Sequence, residues 1–525
     1  MQQLSDRISK LPPEKQALFK RMLKQKGLSD AQDGAIPRVK DSHSYPLSFA
    51  QQRLWFLEQM EPGNPFYNEP LLALRIKGVL DRNAIEETFN ALVIRHESLR
   101  ARFASVDGKP VQIIEPATSV PIVFHDLLSL PLALRESEIT KLAQEEASRP
   151  FDLSHGSLFR VSLLKLAEHE HAVFLEMHHI ITDGWSNSIL INEILQLYEA
   201  FSKKQKNTLP LVPIRYVDFA DWQTKHLTGV TLEKLVDYWK KQLSGHLPVS
   251  EFPLDFPRPA VQRYRGRVET NLIGGELSNK IRLLAKKQDC TLFMTLLSAF
   301  VVLLQRYTGQ NEIVIGTPVA NRNRKETESV VGFFVNTLVI RIDMSDGPSF
   351  TQLMSRVRKT AIDAYAHEDL PFEKLVEILR PKRNLDKQAL FQILFGLHNY
   401  PSSGQEVQSD SDDLQLSRME VDGGESKMDW AMSITDLNEE GIKAQINYNT
   451  DLYRLSTMQR IHAEYETILQ HVVLEPETYL NSIPIFSSGE DKVAIGNPPK
   501  KQAIREKLKS VRRTPIPIDS KGDNS

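Results

Sequence analysis

Cysteine is almost missing from this chain: Cys290 is the single one among 525 residues. That excludes a disulfide framework and a cysteine-rich metal site, and points to a reducing, cytoplasmic setting. Cys290 precedes Thr291-Leu292-Phe293-Met294, which makes it a small buried hydrophobe rather than a nucleophile. Net charge is missing too. At −2 overall, the chain has no basic surplus to bind nucleic acid. The longest apolar run, Leu292 to Leu304, is thirteen residues and contains Thr295 and Ser298. It is too short to cross a membrane and suits a buried helix. Met1-Gln2-Gln3-Leu4-Ser5-Asp6-Arg7 shows no basic-then-apolar signal pattern. No glycine-rich phosphate loop, His-Glu-x-x-His helix or internal repeat occurs. These absences predict no nucleic-acid partner, no membrane and no metal.

What is present is a large core. The hydrophobic content is 41%, and at roughly 100–200 residues per domain the length suggests two to four domains or lobes. Residues 1–35 read as a helical linker: Pro12-Pro13 open a helix, and Leu18, Met22 and Leu23 follow near helical spacing. Leu71 to Ile76 and Ile313 to Ile315 read as strands, Asp81 to Arg95 and Leu232 to Leu243 as helices, which together predict an α/β class. Leu209-Pro210-Leu211-Val212-Pro213, then Pro253, Pro257 and Pro259, mark crossings between two lobes. Residues 401–427, rich in Ser, Asp and Gly, predict a mobile loop. Residues 489–525 form a basic, flexible tail.

The chemistry concentrates in Met177-His178-His179-Ile180-Ile181-Thr182-Asp183-Gly184-Trp185-Ser186. His171 to Met177 suits a strand, and alternate strand side chains face opposite sides. One histidine is therefore expected to be buried and structural, the other free to meet substrate. Leu190, Ile194, Leu197 and Phe201 then step at helical spacing, so the motif sits at a strand–loop–helix junction. Asp183 is placed to cap the helix or hold a cation. Gly184 permits close backbone approach, and its N–H can donate to an oxyanion. Adjacent histidines suit a metal poorly.

The run resembles the His-His-x-x-x-Asp-Gly motif of condensation domains of nonribosomal peptide synthetases. Other segments resemble that family's remaining motifs in order. They are Ser48-Phe49-Ala50-Gln51-Gln52-Arg53-Leu54-Trp55-Phe56-Leu57, Arg95-His96-Glu97-Ser98-Leu99-Arg100-Ala101-Arg102-Phe103 and Tyr216-Val217-Asp218-Phe219-Ala220-Asp221-Trp222. Val331-Gly332-Phe333-Phe334-Val335-Asn336-Thr337 and His367-Glu368-Asp369-Leu370-Pro371-Phe372-Glu373 follow, then a looser match from Arg383-Asn384-Leu385 to Phe391-Gln392. The resemblance spans about residues 44–487.

It implies two chloramphenicol-acetyltransferase-like lobes arranged as a V, residues 36–210 and 211–488, with the active site at their junction. Donor and acceptor carrier proteins would present thioesters on phosphopantetheine arms, which enter as substrates; no tightly bound cofactor is implied. Adjacent synthetase domains are further candidate partners. The acceptor α-amine, with a pKa of roughly 7.7–8.0, must lose a proton to attack, and an imidazole near ~6.5 can take it. Because the donor is an activated thioester, no nucleophilic residue is needed. By this resemblance His179 is the catalytic imidazole, as base, amine positioner or stabiliser of the tetrahedral intermediate, and His178 is structural. Asp183 orients the loop through an ion pair, with Arg322 as partner. Arg95 and Arg100 brace the site, Trp185 and Ser186 line the channel, and Asn336 and His367 shape the lobe interface.

Competing readings are an epimerisation domain, which shares the histidine motif, and a non-catalytic platform that recruits carriers or tailoring enzymes. Platforms of that kind usually lose the second histidine or the aspartate. Gly423-Gly424-Glu425-Ser426 resembles the carrier attachment site, but Asp422 and Lys427 flank it in place of apolar residues. The substrates are therefore expected to arrive on other proteins.

Overall fold

The computed structural model describes residues 35–68, 71–248, 252–259, 263–379, 390–398, 407–408, 414–419 and 423–485. The expected N-terminal helix and basic tail lie outside them, as does most of the last motif. Within them the chain forms two lobes, each built on a six-stranded mixed sheet. In the N-terminal lobe the spatial order is Val407–Gln408, Leu414–Met419, Leu72–Gly78, Glu170–Met177, Phe159–Ala167, Ile122–Asp126.

The period of two decides which core each strand residue enters. Val173, Leu175 and Met177 point into the core shared with helices Arg82–Arg95 and Gly184–Ser202. Ala172 and Phe174 point the other way, against helix Leu132–Ser148. With both faces covered, the strand reads as a continuous apolar run. Asp81 caps the Arg82–Arg95 helix by accepting from the Asn83 and Ala84 N–H groups.

In the C-terminal lobe the order is Asn336–Asp343, Glu312–Val319, Ile393–His398, Trp430–Asp436, Gly441–Asn449, Gly266–Gly274. The Leu292–Thr308 helix lies in its core. Thr291 Oγ1 caps it by accepting from Met294 N–H, and Gly309, at φ 66°, ends it in the left-handed region. Cys290 is buried beside it. No single helix among the described residues is long and apolar enough to cross a membrane.

One expectation fails. Residues 401–427 are not simply a loop: Leu414–Met419 is a strand, antiparallel to Leu72–Gly78, with Leu416 opposite Ile76. Leu416 is buried in the N-terminal core. The Leu-Gln-Leu-Ser alternation from Leu414 carried the strand signal, and the Ser- and Asp-rich flanks masked it. A lobe made of all of residues 211–488 is therefore also inexact, because this segment completes the sheet of the other lobe. Ser426 is buried and donates to the Met428 carbonyl, a poor position for carrier attachment.

Leu416→Ala is expected to destabilise the protein by about 2 kcal/mol or more, as core truncations do. Chemical denaturation checks this; a neutral result would mean that the strand contributes nothing to the core.

Candidate active site

The strand Glu170–Met177 runs out at His178, whose N–H still donates to the Leu158 carbonyl. The chain then tightens into a 3₁₀ turn, His179–Ile181. His178 is only 2% exposed. Its Nδ1 accepts from Ile180 N–H at 3.1 Å, so the proton of the neutral ring sits on Nε2. Burial above all, then the nearby basic side chains His179 and Lys427, push its pKa down to about 3. His178 is therefore an uncharged structural ring.

His179 is only half-buried. Its Nδ1 lies 3.1 Å from the Thr182 carbonyl. A carbonyl can only accept, so Nδ1 carries the hydrogen and the lone pair of the neutral ring is on Nε2. The Phe333 ring packs against the imidazole at 4.9 Å between centroids. Phe333 comes from the C-terminal half of the chain, on the loop before strand Asn336–Asp343.

Asp183 closes the turn and caps the helix Gly184–Ser202. Its Oδ1 accepts from Ser186 N–H and lies 2.8 Å from Ser186 Oγ, while Oδ2 accepts from Phe334 N–H at 3.0 Å. Arg322 Nη2 reaches Asp183 Oδ1 at 3.0 Å and Oδ2 at 3.2 Å. Both partners are buried. Arg322 Nη1 donates to the Thr327 and Val330 carbonyls, each at 2.6 Å, and its guanidinium lies 4.0 Å from the Phe334 ring centre. Both Nη groups of Arg322 are thus engaged, which a desolvated ion pair needs to offset the loss of water.

The other expected residues fall differently. Trp185 is half-buried and donates from Nε1 to the Glu328 carbonyl. Ser186 does not line a channel: it is fully buried between Asp183, Arg322 and Gly332. Gly184 is the first residue of the helix. Arg95 braces at one remove, pairing with Glu193 on the helix after the motif, where His96 also binds. Arg100 instead holds the Val93 and Glu115 carbonyls. Asn336 secures the Glu368 and Leu370 carbonyls. His367 stacks on Tyr238 at 3.8 Å, within the C-terminal half rather than between lobes.

Two clefts adjoin this hub. One, of about 380 Å³ counting space open to solvent, meets Trp222, Asn321 and Arg324. A second, of about 250 Å³, meets Ser48, Phe333 and Asn336. Neither histidine lines them, and Phe333 connects the second to His179. No group of three metal-ligating side chains occurs among the described residues. Sequence reasoning did not single out Ser48, Tyr216 or Phe333 as site residues. All three sit inside the recognised motifs, but nothing in a motif tells which neighbour a side chain meets.

Removing either member of the buried pair, by Arg322→Ala or Asp183→Ala, is expected to cost about 3–5 kcal/mol. The double variant should cost less than the sum; urea unfolding of the four proteins measures both. For His178, the unfolded ring titrates near its ordinary ~6.5 and the folded ring near 3. Between those values the unfolded chain binds the proton and the folded chain does not. Stability contributed by the neutral ring is thus full above pH ~6.5 and falls as pH drops toward 3, by at most about 1.4 kcal/mol per unit. His178→Asn, whose Oδ1 can replace Nδ1 as acceptor, should flatten that acid limb in denaturation measured from pH 6.5 to 4.5.

The family model described as "Condensation domain" matches residues 41–494. A linear gramicidin synthase polypeptide of Brevibacillus parabrevis is 41% identical over 462 residues, which is 88% of this chain and 9% of that protein. Phosphinothricin tripeptide synthetase PhsC of Streptomyces viridochromogenes is 38% identical over 493 residues, 93% of this chain and 45% of its own length. The chain thus spans less than half the length of these curated relatives. The X-domain from teicoplanin biosynthesis superposes with a TM-score of 0.77 at 22% identity, covering 86% of this chain and 100% of the X-domain, a likeness of fold. With its own histidine motif held between two sheets of this kind, the chain belongs to the condensation-domain family of nonribosomal peptide synthetases.

Proposed function

We propose that the chain forms amide bonds between a donor acyl or peptidyl thioester and an acceptor aminoacyl thioester, each on the phosphopantetheine arm of a carrier protein. The observation that carries this reading is the state of His179: half-buried, with Nδ1–H held by the Thr182 carbonyl and the lone pair on Nε2. Such a ring can take one proton.

The acceptor α-ammonium loses that proton, and the freed amine attacks the donor thioester carbon. A tetrahedral intermediate forms with a cationic nitrogen; as the C–S bond breaks, that nitrogen gives up its second proton, which balances the one taken up by the leaving thiolate. The products are an amide and a free thiol. Positioned proton transfer of this kind contributes about 10²–10⁴-fold, and holding two thioesters together adds acceleration by orientation. His179 serves as base, amine positioner or stabiliser of the intermediate. His178, kept neutral, adds no competing charge, and the Asp183–Arg322 pair holds the turn. Donor and acceptor carriers, and neighbouring synthetase domains, are the proposed partners. No tightly bound cofactor is required.

A second reading has support from one neighbour: the X-domain from teicoplanin biosynthesis is also known in complex with OxyB. On that precedent the chain would be a recruitment platform. The intact His178-His179 and Asp183-Gly184 pairs favour turnover instead. Mass spectrometry of two separately loaded carriers, with and without the protein, tests the proposal. Amide product is expected with the native chain. His179→Ala should lower the rate at least about 100-fold with an unchanged unfolding transition. Carrier binding without product supports the platform, and inversion of a single loaded residue supports epimerisation.

A further inference from the structure

Two side chains and one backbone carbonyl outside the histidine motif form a directed hydrogen-bond relay that ends behind the His179 ring. Ser48 caps helix Phe49–Met60, its Oγ accepting from Gln51 N–H. That oxygen lies 2.9 Å from the Tyr216 hydroxyl. Tyr216 in turn donates to the Phe333 carbonyl at 2.5 Å. A carbonyl only accepts, so the Tyr216 proton is committed to Phe333, and the Ser48 hydroxyl must donate to Tyr216. The polarity of the relay is fixed from end to end. Its packing is equally constrained. The Tyr216 ring fills the space beside Gly332, where an added Cβ would lie 2.0 Å from Cδ2, and the Phe334 ring meets it edge-on at 4.9 Å. Burial raises the phenol pKa, so the hydroxyl remains a donor throughout the working pH range.

We infer that Tyr216 is a positioning residue for His179, acting through Phe333: its hydroxyl pins the Phe333 backbone so that the Phe333 ring holds the imidazole plane. The hydrogen bond to Thr182 fixes one nitrogen of that imidazole, and the ring contact at 4.9 Å fixes its tilt. Neither alone determines where Nε2 points. Displacing a reacting group by a fraction of an ångström lowers rate without weakening binding. The inference rests on the catalytic reading of His179, so its test includes a readout independent of turnover.

Tyr216→Phe keeps the ring against Gly332 and removes only the hydroxyl. Phe333→Leu, at a half-buried position, removes the ring contact with less risk to folding. Both are expected to lower kcat for amide formation about 10-fold while leaving the KM for each loaded carrier within about 2-fold. With ¹⁵N-labelled histidine, the His179 ring signals, identified by their loss in His179→Ala, should move from a single Nδ1–H tautomer toward a mixture. Unchanged ring signals in both variants would overturn the inference. So would full kcat in both variants when His179→Ala is inactive. If His179→Ala retains turnover, the catalytic reading falls, and the ring signals alone decide whether Tyr216 positions the imidazole.

Discussion

A single buried carboxylate organises this molecule. Asp183 begins the helix that follows the histidines, accepts a backbone N–H from Phe334, and meets the Arg322 guanidinium, which lies 139 residues away in sequence. Charges out of water need polar partners in place of hydration. Here the supply comes from both sheets' territories: the Ser186 groups on one side, and the Thr327 and Val330 carbonyls beyond the arginine on the other. One relative placement of the lobes satisfies all of these donors and acceptors together. The pair therefore acts as a registration mark more than as a source of stability.

From that fixed point the two histidines acquire different characters. Neighbours in sequence, they differ in exposure and in which ring nitrogen carries the hydrogen. His178 ends a strand, is enclosed, and stays neutral because ionisation there has nothing to solvate it. His179 begins a tight turn, is only half-buried, and has its tautomer selected by a carbonyl. The polypeptide makes one ring inert and the other addressable by a change of backbone direction at a single residue.

Much of this was legible in the sequence, though not always for the reason first apparent. Strand alternation predicted that one histidine would be buried. The structure separates them by ending the strand at His178 rather than by opposing faces of a continuing one. The Arg82–Arg95 helix and its Asp81 cap follow directly from local signals. The partnership of Asp183 with Arg322 followed from the family's pattern and not from spacing, since nothing local links residues so far apart. Directions of side chains were the least readable. Ser186 turned inward because the helix start rotates it toward Asp183, and Arg95 and Arg100 were drawn to nearer acceptors. Likewise, the Leu414–Met419 strand was obscured by its flanks, because composition averaged over a window dilutes a short alternating run.

That strand has a mechanical meaning. A chain that leaves one half, adds a rung to the ladder of the other and then returns is stitched across the seam. Tilting the halves about a hinge would load those rungs in shear, all at once, instead of peeling them singly. The two halves are therefore not separable bodies joined by a tether but one garment sewn from a single thread.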